Sequence, residues 1–255
     1  TLENGEVKLY LYEGEDPTKT FAVTFAKEGE GTLIATGADD LNAVPSGTEL
    51  TVEATPAEGY VLTALTANGE DILATKKLIV RKDTEIKATF AKVGDGVITM
   101  ATAKSVGESI RLRYSADGGV SIEGVEGTPN PFDDVDYTLI SQKVTLRGDI
   151  TVLHCEANRL TDIDVSQCSS LRLLFCYANE IKGKSMLQLV NSLPDRTGLE
   201  SGTFVVYSEG YSEPEGNVCL QSDVAIARAK NWEVELKRWE NGEVNYYPYD
   251  GEDPT

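Results

Sequence analysis

The eleven residues ITVLHCEANRL at positions 150–160 return as LRLLFCYANEI at positions 171–181, an offset of 21 residues (171 − 150). Both copies fit the pattern LxxLxLxxNxL, with Cys155 and Cys176 at the third leucine position and Asn158 and Asn179 at the asparagine position. Successive side chains of a strand point to opposite faces of a sheet. The pattern therefore predicts neighbouring strands that turn their leucine positions inward and the intervening residues outward.

This pattern resembles the leucine-rich repeat of internalin type, which occurs in short form in many bacterial surface proteins. Two longer steps of 30 residues follow, from Leu174 to Phe204 and from Phe204 to Val234. The resemblance implies a short leucine-rich-repeat solenoid of β/α type, with a β cap in front, over residues 94–250. Because the array holds few repeats, its face is shorter than in typical members of the family.

Two segments between the later strands have helical spacing. In KSMLQLVNSLP (residues 184–194) the apolar residues recur at i, i+3, i+4 and i+7, and a proline ends the run. In SDVAIARAK (residues 222–230) Ser222 is the predicted N-cap of an alanine-rich helix. We expect each helix to return the chain to a new parallel strand, TFVVY at 203–207 and WEVELK at 232–237.

The cap in front of these repeats is predicted to be β-structure. Residues 97–103, 109–115 and 120–125 alternate as strands, and Asp117-Gly118-Gly119 between the last two indicates a hairpin turn. Residues 128–136, TPNPFDDVD, are predicted to form a polar loop. Residues 137–148 return to strand.

The segment before the cap is predicted to be entirely β. Alternation is regular in TELTVEAT at 48–55, and turn residues fall between the runs. The predicted strands are 21–26, 32–35, 49–54, 60–64 and 85–90. The stretches FAVTFA, SGTELTVEATPAEGYVL and DTEIKATF resemble the B-repeat-like modules of bacterial surface proteins. The resemblance covers about residues 19–93 and implies a spacer or stalk module.

The two ends of the chain repeat each other. Residues 3–18 read ENGEVKLYLYEGEDPT and residues 240–255 read ENGEVNYYPYDGEDPT, with twelve of sixteen positions identical at an offset of 237 (240 − 3). Repetition at the scale of a module is typical of arrays and surface assemblies. We therefore interpret residues 1–18 as the tail of a preceding repeat unit and residues 251–255 as a linker. Residues 3–12 are expected to form an edge strand that lacks the first strand of the terminal hairpin.

The net charge of −19 argues against some classes of partner. Nucleic acid requires Lys and Arg to neutralise its phosphates, and an anionic membrane surface attracts basic segments. We expect neither partner, nor any membrane insertion, because no run reaches the ~18 apolar residues of a membrane span. We favour solubility as the explanation of this acidity. The alternative is that the acidic side chains have a role in binding a ligand.

Catalytic and metal-binding signatures are absent from the sequence. There is one histidine, His154, and no CxxC pair among four cysteines. His154 and Cys155 are adjacent in a strand, so they face opposite sides and cannot form a dyad. The acidic runs at 133–136 and 162–164 lack the ligand spacing of a calcium loop and are interpreted as solvated turns. We expect no cofactor, no metal and no enzymatic activity.

The candidate binding site is the outward face of the predicted parallel strands. Exposed patches of apolar and aromatic residues mark interaction sites. The patch would contain His154, Leu173, Phe175, Tyr177, Val205 and Tyr207. The alternative is that it packs against the chain's own loops or a neighbouring module.

The sequence thus predicts a mainly β protein with some α, made of a small all-β module (19–93) and a β-capped leucine-rich-repeat domain (94–250). The leading hypothesis is a non-catalytic cell-surface or secreted protein. It would bind a protein or glycan with the concave face of the repeats, which is the outward face of the predicted parallel strands. A purely structural stalk is the alternative, and burial of Phe175 and Tyr177 within the chain would favour it. An enzyme with an unrecognised shallow site is a further alternative, which a deep pocket with convergent carboxylates would favour.

Overall fold

The computed structural model describes residues 2–3, 6–7, 18–240 and 242–253. The chain divides into two compact units, unit 1 (residues 1–91) and unit 2 (residues 92–255). Each unit has its own cluster of buried apolar side chains.

Unit 1 is built from strands alone among its described residues. Its strands are β1 (Leu2–Glu3), β2 (Glu6–Val7), β3 (Thr20–Phe21), β4 (Val23–Glu28), β5 (Gly31–Thr36), β6 (Val44–Pro45), β7 (Glu49–Pro56), β8 (Tyr60–Ala67), β9 (Glu70–Asp71), β10 (Lys77–Ile79) and β11 (Thr84–Lys92).

Two sheets form most of unit 1, one in the order β10-β7-β5 and one in the order β4-β11-β8-β9. Strand β7 buries Leu50 and Val52 and exposes the residues between them, as its alternating sequence requires. Strands β4 and β11 pair in parallel. All five predicted strands are present, and the short strands β6, β9 and β10 were not predicted.

Unit 2 contains ten strands and two nine-residue helices in its described part. These are β12 (Val97–Thr102), β13 (Ser109–Glu123), β14 (Val125–Glu126), β15 (Val135–Leu139), β16 (Lys143–His154), β17 (Leu160–Gln167), β18 (Leu173–Phe175), α1 (Lys184–Ser192), β19 (Gly202–Glu209), α2 (Gln221–Ala229), β20 (Trp232–Glu240) and β21 (Glu243–Pro248).

All ten strands belong to one mixed sheet, whose main path is β14-β15-β13-β16-β18-β19-β20-β21. The centre of the sheet is β16, which pairs in antiparallel fashion with β12 and β13 and in parallel with β18. The pairs β18–β19 and β19–β20 are also parallel, and β21 closes the sheet as an antiparallel edge.

The prediction of a leucine-rich-repeat solenoid is wrong. A solenoid repeats one strand-and-return unit so that each repeat contacts only its neighbours. Here 52% of the described residues lie in strands, which form several sheets, and 8% lie in helices. After the first asparagine of the pattern the chain does not return by a helix; it forms β17, which pairs antiparallel with β12. Unit 2 is therefore a mixed β-sheet with two helices.

Two local predictions in unit 2 also fail. The predicted hairpin turn at 117–119 lies inside the long strand β13, where the register shifts between Asp117 and Ser121, so the extra residues form an irregularity instead of a reversal. Helix α2 begins one residue before the predicted cap: Asp223 Oδ2 accepts a hydrogen bond from Leu220 N–H at 3.0 Å, and Ser222 lies within the helix.

The segment 3–12, expected to be an edge strand, lies mostly outside the described residues. Its described part is the pair β1–β2, in which Leu2 is opposite Val7 and Glu3 is opposite Glu6.

The buried asparagines of the pattern connect neighbouring strand ends. Asn179 accepts hydrogen bonds from the backbone N–H groups of Asn158 and Leu160, both at 2.9 Å. Its amide nitrogen donates to the carbonyl oxygens of Cys155 at 3.1 Å and Cys176 at 2.8 Å. Because buried backbone groups need partners, this one side chain satisfies four of them where the chain leaves the sheet.

We predict that Asn179→Ala lowers the free energy of unfolding of unit 2 by about 3 kcal/mol or more, because several buried backbone groups lose their partners together. Chemical denaturation monitored by circular dichroism measures the loss. The exposed Asn191, whose side-chain amide donates to Leu187 O within α1, is the matched control, and Asn191→Ala should change stability by no more than ~0.5 kcal/mol. Equal losses in the two variants would contradict a structural role for Asn179.

Cys155 and Cys176 are both free and fully buried, as the inward register predicts. Burial raises the pKa of both thiols, which disfavours the reactive thiolate. We predict that a thiol reagent leaves both residues unmodified in the native protein and modifies them after denaturant is added, as mass spectrometry of peptides can measure. Modification of either one under native conditions at the rate of an exposed thiol would contradict this packing.

Candidate functional site

The six residues of the predicted patch lie on the parallel part of the unit 2 sheet. His154 ends β16, Leu173 and Phe175 lie in β18, Tyr177 follows β18 by two residues, and Val205 and Tyr207 lie in β19. The structure brings His154 and Phe175 together as stacked rings, with centroids 4.1 Å apart and 7° between the planes. Phe175, Tyr177 and Val205 belong to one small apolar cluster with two neighbouring alanines.

Tyr207 does not belong to this cluster. The register between β19 and β20 shifts between Val205 and Tyr207, so that Tyr207 is opposite Leu236. A shift of one residue exchanges the faces of a strand. Tyr207 therefore packs against the main core of unit 2, where its ring stacks on Tyr249 at 5.2 Å. Its predicted place on the outward face is wrong.

The outward face is not an open apolar surface either. Tyr177 is 3% exposed and Val205 is fully buried. The chain covers them itself: Tyr211 packs edge-on against Tyr177 at 5.3 Å, and Lys237 Nζ lies 4.7 Å above the Tyr177 ring. Tyr246 of β21 packs edge-on against Phe175 at 6.0 Å. The expectation that Tyr177 and Val205 face solvent is therefore wrong.

Beside this covered face lies a polar cleft of about 500 Å³. It opens at the carboxyl ends of the parallel strands, next to β13 and β15, where crevices in open α/β sheets commonly hold ligands. Its lining residues are Lys104, Ser109, Arg111, Asp134, Asp136, His154, Glu156, Ala157, Asn158, Tyr177, Tyr211, Ser212, Glu213 and Lys237.

The charges of the cleft nearly balance in a chain whose net charge is −19. Arg111 makes a two-point ion pair with Asp136, with N–O distances of 2.9 and 2.7 Å. The Arg111 hydrogen bonds hold the pKa of Asp136 below its usual range. Burial lowers the pKa of Lys104 and of Lys237, and nearby carboxylates oppose the shift in both cases.

Glu156 is the most unusual group in the cleft. Its Oε1 atom accepts a hydrogen bond from the Tyr177 hydroxyl at 3.4 Å and lies 3.7 Å from His154 Nδ1. Its Oε2 atom is buried and has no hydrogen-bond partner among the described residues. A buried polar atom without a partner is costly, so Oε2 is an acceptor that a hydrogen-bond donor on a ligand could satisfy.

His154 has its own neighbours. Arg113 Nη2 lies 2.9 Å from His154 Nε2, and Arg113 also approaches Asp134 at 3.9 Å. Within the part of the chain that the structure describes, no group of three or more His, Cys, Asp or Glu side chains is placed to hold a metal ion. The buried Cys155, adjacent to His154, has a raised pKa and is not placed to act as a nucleophile.

Sequence reasoning found only part of this cleft. His154 and Tyr177 were predicted as site residues, and Glu156 and Lys237 occupy outward positions of the strand pattern. Tyr211 lies in the irregular segment after β19, where no periodicity indicates its direction. Arg111 and Asp136 come from strands of the predicted cap, whose position beside β16 the sequence does not reveal.

Comparison with known proteins identifies one module. Residues 21–94 match the sequence model of the family described as Divergent InlB B-repeat domain. A module of this family fits a bacterial surface-associated protein, and the match confirms the B-repeat-like part of the resemblance. The match does not extend into unit 2, and the leucine-rich-repeat resemblance receives no support.

Searches of the curated proteins and of the solved structures found no match. In the described residues, no helix combines the length and the apolar character needed to cross a membrane.

The covered face generates a stability prediction. Tyr177→Ala should lower the free energy of unfolding by about 3 kcal/mol, because it removes a buried aromatic ring together with its contacts to Tyr211 and Lys237. Tyr211→Ala, at a side chain that is 38% exposed, should cost only about 1 kcal/mol. Urea denaturation of both variants measures the difference, and a Tyr177→Ala protein as stable as Tyr211→Ala would mean that the face is open in solution.

Proposed function

We propose that the chain is a non-catalytic binding segment of a bacterial cell-surface or secreted protein. Unit 1 acts as a spacer, and unit 2 carries the ligand site. The family match of residues 21–94 supports a surface-associated role. The near-identity of residues 3–18 and 240–255 supports a modular array.

The ligand site is the polar cleft rather than the apolar face on which the sequence hypothesis rested. A docking surface must be available to its partner, and Tyr177 and Val205 are already buried by the chain's own side chains. The single observation that supports the cleft is the unsatisfied Oε2 atom of Glu156, in a cleft that also contains Lys237 and the exposed Tyr211.

The chemistry of the cleft favours a polar ligand with little net charge. Its lining carries three lysine and arginine side chains against four carboxylates, so neither a polyanion nor a polycation is selected. Pockets that fix a ligand by a few directed polar groups beside an aromatic surface are the common type of binding site. Hydroxyl-rich glycans and polar peptide segments both meet this description.

The second candidate function is a purely structural stalk. One observation favours it: Tyr177 is buried and Phe175 is half-buried within the chain, which is what a face used for internal packing requires. In that case the cleft has no ligand, and the unsatisfied Oε2 atom of Glu156 lowers the stability of unit 2.

The two functions differ in what cleft substitutions do to binding. The wild-type protein is screened by surface immobilisation against extracellular-matrix proteins and glycans. For a ligand found in this way, we expect Tyr211→Ala and Lys237→Ala each to weaken binding by about 30-fold, the effect of losing ~2 kcal/mol at an anchoring residue.

Lys182→Ala is the matched control, because Lys182 is exposed and lies outside the cleft. It should leave affinity within about twofold, since an exposed charge away from the site contributes little. Circular dichroism verifies that each variant is folded. Ligand binding that survives both cleft substitutions would contradict the cleft, and a screen without any ligand would favour the stalk.

A further inference from the structure

Residues 249–253, which we call the tail, dock into unit 2. Tyr249 is buried, its ring stacks on Tyr207 at 5.2 Å, and its hydroxyl donates to Cys219 O at 3.4 Å. Asp250 pairs with Arg228 at 2.9 Å. The tail is therefore held by the core of unit 2 and by α2.

Backbone contacts fix the rest of the tail. Glu252 N–H donates to Cys219 O at 2.9 Å, and Gln221 N–H donates to Glu252 O at 3.1 Å. Gln221 Nε2 donates to Asp253 Oδ1. Gly251 has a φ of 88°, and a Cβ atom there would lie 2.6 Å from Gln221 N, so only glycine fits. We call the surface that receives the tail the tail site.

The repeated segment at the start of the chain contains the same docking residues. The four tail positions Tyr249, Gly251, Glu252 and Asp253 are matched by Tyr12, Gly14, Glu15 and Asp16. The acidic Asp250 is matched by another carboxylate, Glu13.

Four positions differ between the copies: Asn245, Tyr246, Pro248 and Asp250 in the terminal copy, each of them exposed or half-exposed. Of these, Asp250 contacts Arg228 and is replaced by another carboxylate, and Tyr246 contacts Phe175 and is replaced by Leu9. The local pairing is also the same: Glu3 is opposite Glu6 and Leu2 opposite Val7, as Glu240 is opposite Glu243 and Trp239 opposite Val244.

We propose that residues 3–18 are a second docking segment and that they occupy the tail site of another copy of this chain. The partner is a second copy of the chain, joined head to tail, with residues 12–16 in place of its own residues 249–253. Exchanging identical elements between copies is an established mode of association. A contact of this heterologous kind does not close on itself and builds a linear array.

The intact chain masks this contact, because its own tail competes for the same site. A covalently attached segment has an effective concentration on the order of mM. Exchange between copies is therefore expected mainly at high protein concentration, or when the chain's own tail is weakened while residues 3–18 are left intact.

The test is a cycle of four proteins of residues 1–255: wild type, Gly251→Val, Gly14→Val and the double variant. Valine at 251 blocks the chain's own tail but not the docking segment. Light scattering is measured while the protein concentration is varied over a ~100-fold range. It should show oligomers for Gly251→Val at concentrations where wild type and Gly14→Val are monomeric. The double variant should be monomeric like the wild type.

A synthetic peptide of residues 3–18 provides a second measurement. It should bind the double variant, in which the tail site is free, at least tenfold more tightly than the same peptide with Gly14→Val. If Gly251→Val does not fold, the pair Tyr249→Ala and Tyr12→Ala repeats the cycle at a second contact. A Gly251→Val chain that folds and stays monomeric would overturn the proposal, as would a double variant that associates as strongly as Gly251→Val.

Discussion

Unit 2 depends on a chain of buried asparagine side chains at the ends of its strands. Asn158 bonds to the backbone of Arg111 in β13, Asn179 bonds to the residues after β16 and β18, and Asn217 donates to Cys176 O and Val206 O. Strands that end inside a packed structure leave N–H and C=O groups that need partners. These amides each donate and accept, so they satisfy groups from two neighbouring strands at once. Together they join the segments that follow β16 and β18 to the backbones of β13 and β19.

These strand ends determine where chemistry is possible. The two faces of the parallel strands are both used for packing: one by the main core, the other by Tyr177, Val205 and the side chains that cover them. Only the ends of these strands remain open. There the hydrogen bonds of the asparagines hold the residues that follow the strands, including Glu156 after β16, around the cleft. The cleft is polar because it borders the backbone turns rather than the apolar ladder. Its near-neutral balance of charge is thus a local property, independent of the acidity of the whole chain.

Sequence reasoning predicted the local register well and the architecture poorly. The inward positions around Cys155 and Cys176 are buried as the pattern requires, because side-chain alternation is a property of each strand alone. The path of the sheet is not local. Nothing in residues 160–167 distinguishes a convex return from the strand β17, whose partner β12 lies some sixty residues earlier. The register shift before Tyr207 likewise lies in the pairing of β19 with β20. Asn217 was missed because it falls outside the repeat spacing.

The edge strand β21 and the tail that follows it are the part of unit 2 whose sequence is repeated at the start of the chain. An edge strand exposes unpaired backbone groups and is a natural place for another chain to add. Here the edge strand is paired with β20 along its length, and the tail beyond it is held through Tyr249 and Gly251. The copy at residues 3–18 has Tyr12 and Gly14 at the positions of Tyr249 and Gly251, and its four differences all fall at positions that are exposed or half-exposed in the terminal copy. A sequence repeated for solubility or flexibility alone would have no reason to keep a buried tyrosine and a glycine of positive φ. Retention of those two residue types is what docking demands, so the repeat is better explained as a contact than as a linker.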